Sequence, residues 1–275
     1  AYAFSSIADQ LSSIAKMEFF SYPTAMGSLK GIIFDKDGTL FDYGEVWGPV
    51  FSQAIAKGLA GSSLSEDRKA RCIDDFLKIL GVDDKGNTYP DGIIFRHDRK
   101  ITATLRVLML CFRYHLSPFM VGRAMFAFMR KSDLGLEKRI ANMEFPGVRE
   151  VFEEAHRRGY SLGIVTNDTM SSTRIFLDRM GISQYISFIR TKDSSTHPKP
   201  NPAAIREFCE EKGLESQEVA IVGDTIVDME FAHLGKAGYA VAVLTGSGDV
   251  EGLEKHADAV YPTLLDVLSD PVLFP

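Results

Sequence analysis

The chain has 275 residues, 45% of them hydrophobic and 25% charged, an ordinary globular composition that argues against a disordered polypeptide, and is long enough for one large domain or two smaller ones. Its formal net charge of -6 argues against nucleic acid or an anionic membrane as a partner for the whole surface. Three cysteines, Cys72, Cys111 and Cys209, lie far apart without the CxxC spacing of a zinc or redox site, and read as small buried hydrophobes in a reducing compartment.

Residues 1–28 form an N-terminal extension. They lack the basic start and apolar core of a secretory signal, and Asp9 and Glu18 sit badly with an organellar transit peptide. Ile7, Leu11 and Ile14 recur at helical spacing and predict a short helix, while Met26 is a candidate translation start. Patterned sequence opens at Leu29, and its first strand is Gly31–Phe34. Directly after it, "DKDGTL" places Asp35 and Asp37 two residues apart at the end of an apolar run. A buried carboxylate without a partner costs several kcal/mol, so the pair points to a bound cation or a catalytic role. The other reading is an ordinary Asp-Gly turn between a strand and a helix.

Four helical patterns follow, Val46–Ala60, Glu66–Leu80, Arg99–His115 and Pro118–Ile140. They add about a hundred residues to what a strand-helix-strand crossover needs. Residues 44–143 therefore read as an all-helical domain inserted into a core made of 29–43 and 144–275. Trp47, close in sequence to the acid pair, either lines an entrance or packs. Between Pro90 and Lys131 the insert is basic, and Arg99, Arg106 and Arg113 recur every seventh residue on one side of a helix. With Arg96 they are candidates to hold a second anionic group on a substrate, the alternative being a solvated helix face. Leu108–Met129, rich in Met and Phe, reads as the core of the insert, with a dimer contact as the second option. The apolar windows of this region are too short, and too interrupted by arginine, to span a bilayer.

From Pro146 onward, helices over Gly147–Arg158, Ser171–Met180 and Pro202–Lys212 each end at a glycine. They alternate with apolar runs at Ser161–Val165, Tyr185–Ile189, Val219–Val222, Tyr239–Leu244 and Ala257–Tyr261. That alternation predicts an α/β, Rossmann-like three-layer sandwich with a parallel sheet. "GSG" at 246–248 lacks the rest of a dinucleotide fingerprint and reads as a loop.

Open parallel sheets hold ligands at the carboxyl ends of their strands. There the chain places Asp35 and Asp37, then Thr166-Asn167-Asp168, then "HPKPNP" with Lys199, then "GDTIVD" with Asp224 and Asp228. Carboxylates suit a hard cation, while lysine, hydroxyl and backbone N–H groups suit phosphate oxygens. A sugar hydrolase also uses paired acids but needs no lysine and threonine beside them. Singly these motifs are common turns and a surface lysine; their order and placement after strands are what is specific.

In "DKDGTL" at 35–40, "VTN" at 165–167, "KP" at 199–200 and "GDTIVD" at 223–228, the chain resembles the haloacid dehalogenase-like superfamily. Its helical insert resembles the cap of phosphoglycolate-phosphatase-like members. The resemblance implies that Asp35 is a nucleophile forming an aspartyl-phosphate and that Asp37 is the general acid/base. It implies phosphate contacts from Thr166, Lys199 and the backbone amide of Asn167. It further implies Mg2+ held by Asp35, the Asp37 carbonyl oxygen and Asp224, with Asp228 behind. Lys36 is expected to point away, its amide contributing more than its charge. The implied activity is a cytoplasmic Mg2+-dependent phosphatase of a small phosphorylated metabolite, phosphoglycolate foremost. No nucleic-acid or membrane partner is expected, and the chain is expected to be a monomer or homodimer. The alternatives are a phosphosugar mutase and a non-catalytic binding protein that keeps the fold.

Overall fold

The computed structural model describes residues 28–95, 100–123, 137, 140–194, 197–247 and 249–275. Residues 1–27, Arg96, Arg99 and most of the helical pattern expected over Pro118–Ile140 lie outside the described residues. Strand β1 (Gly31–Phe34) is buried along its whole length. Helix α1 (Tyr43–Leu59) starts where the Asp42 carboxylate accepts the Glu45 N–H at 2.9 Å, satisfying one of the donors a helix start leaves unpaired. Helix α2 (Glu66–Leu80) ends at Gly81, whose φ of 99° is a conformation that favours glycine. With α3 (Lys100–Arg113), these helices close a small core of Leu59, Cys72, Phe76, Cys111 and Tyr114.

The Leu108–Met129 run, expected to be that core, is divided in its described part. Cys111 and Tyr114 are buried, but Met109, Phe112 and Phe119 are 63%, 83% and 79% exposed. A helix turns 100° per residue, so positions 111 and 114 share the face toward α2 while 109 and 112 fall away from it. No helix among the described residues is long and apolar enough to cross a membrane.

The chain returns through α4 (Val148–Arg157) to β2 (Ser161–Val165), α5 (Met170–Met180) and β3 (Phe188–Arg190). It continues with α6 (Ala203–Lys212), β4 (Val219–Gly223), α7 (Ile226–Gly235), β5 (Tyr239–Val243), α8 (Val250–Glu254) and β6 (Ala259–Tyr261). The described strands form one sheet, every pair in it parallel, in the order β3-β2-β1-β4-β5-β6. Ile32 and Phe34 face Phe152 and Phe176 of α4 and α5; Ile33, on the opposite side, joins Phe208 and Met229 of α6 and α7. This is the three-layer α/β arrangement the alternating pattern implied.

Most bounds shift by one to three residues, and two differences have a visible cause. The third strand begins at Phe188 rather than Tyr185, because the Tyr185 N–H donates to the Ile182 carbonyl at 2.9 Å and closes a turn. Helix α7 stands where "GDTIVD" read as a site motif with no helix after it: Thr225 and Asp228 cap its start reciprocally.

Strand order reverses across the β1–β4 crevice, the position where open sheets bind ligands. Phe34 is level with Ile164 and with Val222, so Asp35, Thr166 and Asp224 leave the sheet at one edge.

Candidate active site

Asp35 and Asp224 follow adjacent strands, and α7 carries Asp228 back over the crevice. Carboxylate oxygens of these three residues lie within 4.8 Å of one another, and all three side chains are buried. The Lys199 ammonium donates to Asp35 at 2.5 Å and to Asp228 at 2.6 Å. Asp224 accepts from the Thr39 hydroxyl at 3.1 Å and from the Ser247 N–H at 3.2 Å. Ser247 also donates its hydroxyl to the Asp224 carbonyl at 2.7 Å, so this loop residue holds a site aspartate in place. No local pattern marks that role, because the contact joins residues 23 apart.

Burial pushes the Asp35 carboxyl up to about 7, against the pull of Lys199 and helped by the charges of Asp228 and Asp37. Burial and the neighbouring charges of Asp228 and Asp35 hold Asp224 well above the usual carboxylate range. Burial disfavours the Lys199 ammonium, but Asp228 and Asp35 outweigh it and raise its pKa. Three buried carboxylates thus face one ammonium, and the cluster lacks positive charge. Its donors are all oxygen, which suits a hard divalent cation such as Mg2+. The residues present fit that ion.

The expectation for Lys36 is overturned. Its side chain is fully buried, with the ammonium 2.7 Å from Asp37 Oδ2 and 2.9 Å from Asp168 Oδ2. It also sits over the Phe176 ring at 4.4 Å and the Phe41 ring at 5.4 Å. Gly38, at a φ of 89°, bends the chain after Asp37, and the long lysine stem lets the charge return to the acid beside it. An ammonium with no exposure needs counter-charge, and Asp37 and Asp168 supply it. On the other oxygen of Asp37, the Trp47 indole N–H donates at 2.8 Å. Trp47 therefore both lines the cavity and fixes the acid. Burial raises the Asp37 pKa, opposed by Lys36 and assisted by Asp168.

Thr166 is 4% exposed, and its hydroxyl accepts the Asp168 N–H at 3.2 Å. The Asn167 amide reaches the Lys199 carbonyl at 3.5 Å, joining the second and third post-strand segments. A cavity of about 530 Å³ opens above these groups, with Asp35, Asp37, Thr166, Lys199, Asp224 and Asp228 on its lining. Arg106 and Arg113, expected to face the site, are absent from its described lining, while Arg96 and Arg99 lie outside the described residues. Val107 is the α3 residue on that lining, and one position along a helix is a 100° turn away. Arg113 instead pairs with Asp75 at 3.3 Å on an exposed surface.

A family model described as haloacid dehalogenase-like hydrolase matches residues 123–244, which takes in Thr166, Lys199, Asp224 and Asp228 but begins after Asp35. Pyrophosphatase PpaX of Oceanobacillus iheyensis is 25% identical over 248 residues, covering 88% of this chain and 96% of that protein. A phosphoglycolate phosphatase of Vibrio parahaemolyticus is 31% identical over 85 residues, 31% of this chain and 37% of its own length. A solved structure from Haemophilus somnus, described as a predicted phosphoglycolate phosphatase, superposes with a TM-score of 0.61 at 20% identity, over 89% of this chain and 99% of that one.

Proposed function

We propose that the chain is a haloacid dehalogenase-like hydrolase, a Mg2+-dependent phosphatase of a small-molecule phosphomonoester working through an aspartyl-phosphate on Asp35, a reading supported by the family match over residues 123–244 and by the relatives above. The convergence of Asp35, Asp37, Thr166, Lys199, Asp224 and Asp228 on one cavity carries this reading. In the first step a carboxylate oxygen of Asp35 bonds to phosphorus, the ester P–O bond breaks, and the departing alcohol oxygen takes a proton from Asp37. In the second, Asp37 takes a proton from water, the water oxygen bonds to phosphorus, and the bond to Asp35 breaks to release inorganic phosphate. Lys199, the Thr166 hydroxyl and the Asn167 backbone amide hold the phosphoryl oxygens in both. Bound by Asp35, the Asp37 carbonyl and Asp224, with Asp228 behind, Mg2+ would offset the repulsion between the carboxylate and an anionic phosphate. Residues 44–143 act as a cap over a core of 29–43 and 144–275.

Phosphate release from a generic aryl phosphate tests this. The wild-type chain with Mg2+ is expected to release free phosphate stoichiometrically with alcohol. Asp35→Asn or chelation of the metal is expected to lower the rate roughly a thousandfold or more. Activity that persists in both cases sinks the assignment. Transfer of the phosphoryl group back to substrate without free phosphate identifies a mutase instead.

A further inference from the structure

The floor of the cavity is charged, but its walls are not. Ile55 of α1, Leu80 at the end of α2, Ile93 and Ile94 in the following turn, Val107 of α3 and Val121 all line it. Each of these six is only part-buried, so apolar surface faces the space above Asp35. Between Tyr43 and Val121 the described lining contains no charged side chain. Besides Lys199, which is held by Asp35 and Asp228, the one cation on the described lining is Lys192, on the core side. At about 530 Å³ the cavity falls in the size class of pockets that enclose whole organic ligands, roughly 300–1,000 Å³.

We propose that this wall receives the hydrocarbon body of the substrate, so that the ester hydrolysed is an alkyl or aryl phosphate rather than a phosphorylated carboxylate or sugar. The proposal rests on the phosphatase reading above and specifies its substrate class. With the phosphate on Asp35, the alcohol portion is directed along Ile55, Ile94 and Val107. A carboxylate or a set of sugar hydroxyls placed against Ile55, Ile94 and Val107 sheds water to side chains that return no hydrogen bond, with Ser62 and Ser117 the hydroxyls of the described cap-side lining besides Tyr43. A hydrocarbon in the same place gains from leaving water.

The test uses the full chain with Mg2+ and a series of n-alkyl phosphates from ethyl to hexyl, whose alcohols are nearly equal as leaving groups. kcat/KM is expected to rise about fourfold per methylene until the wall is covered, with hexyl phosphate above both phosphoglycolate and a hexose phosphate. Ile55→Asp is expected to lower hexyl phosphate turnover more than ethyl phosphate turnover. In parallel, affinities of the matching n-alkyl phosphonates are measured by calorimetry. A flat or falling series, or a preference for phosphoglycolate, overturns the proposal while leaving the phosphatase intact. Phosphonate affinity that climbs with chain length while no ester is turned over upholds the apolar wall and sinks the phosphatase.

Discussion

Lys36 is the residue whose position changes the chemistry most. Standing between Asp35 and Asp37, it places its ammonium against Asp37 and Asp168 inside a shell made with Phe41 and Phe176. Strand alternation argues that residue 36 faces away from 35 and 37, and at its Cβ that rule is local and blind to the stem's reach. Phe176, which covers the charge, comes from α5, far along the chain, so no window of sequence shows the enclosure. The acids were legible because their spacing is local. The contacts that tie Lys36, Trp47, Asp168 and Ser247 to them were not, because each needs the folded chain. Removing the charge alone leaves two part-buried carboxylates without their counter-charge, and Lys36→Met is expected to cost about 1–3 kcal/mol in denaturant unfolding. Asp168→Asn is then expected to cost less in the Lys36→Met background than in the wild type. Strictly additive losses contradict the pairing.

Among the elements, the turn after α2 shows how a polar side chain shapes an apolar wall. Asp83 accepts from the Lys85 N–H at 2.9 Å, the Asn87 N–H at 2.9 Å, the Asn87 amide at 2.6 Å and the Tyr89 hydroxyl at 3.1 Å. Burial alone raises a carboxyl pKa, yet these hydrogen bonds outweigh it and hold Asp83 below the ordinary 3.8. A folded-state pKa lower than the unfolded one adds stability above the unfolded pKa and loses it as pH falls through the folded one. Asp83→Ala is therefore expected to cost about 1–3 kcal/mol at neutral pH and progressively less below pH 3.8. A loss of constant size across that range contradicts the role given to the carboxylate. Sequence patterns placed β1, β2 and α2 at their observed bounds, since each is a short periodic run closed by polar residues or glycine. They slid on β3, where Tyr185 belongs to a turn, and passed over α7, whose capping pair had been read only as a site motif.

For the molecule as a whole, the α/β class and the order of post-strand motifs were readable from sequence, because each strand end carries its own polar signature. Which face of the insert meets the core was not readable: a seven-residue arginine spacing defines one side of a helix but not what that side faces. Among the described residues Val107, not Arg106 or Arg113, is the α3 residue that lines the cavity, and the proposed substrate class rests on this rotation. The uncompensated carboxylates couple the metal to the stability of the entire chain. Mg2+ at a hundred times its dissociation constant is expected to add about 2.7 kcal/mol to unfolding. Asp224→Asn, which keeps the shape of a fully buried donor and removes its charge, is expected to blunt that gain. An equal Mg2+ gain in wild type and variant places the ion elsewhere.

The covalent step on Asp35 is the central claim, and acid-quenched mass analysis of the chain during turnover of an ester tests it most directly. The expected result is a phosphoryl group on the peptide containing Asp35, present with Mg2+ and lost in Asp35→Asn together with hydrolysis. Hydrolysis at an undiminished rate by Asp35→Asn, or phosphoryl on a different side chain, contradicts it.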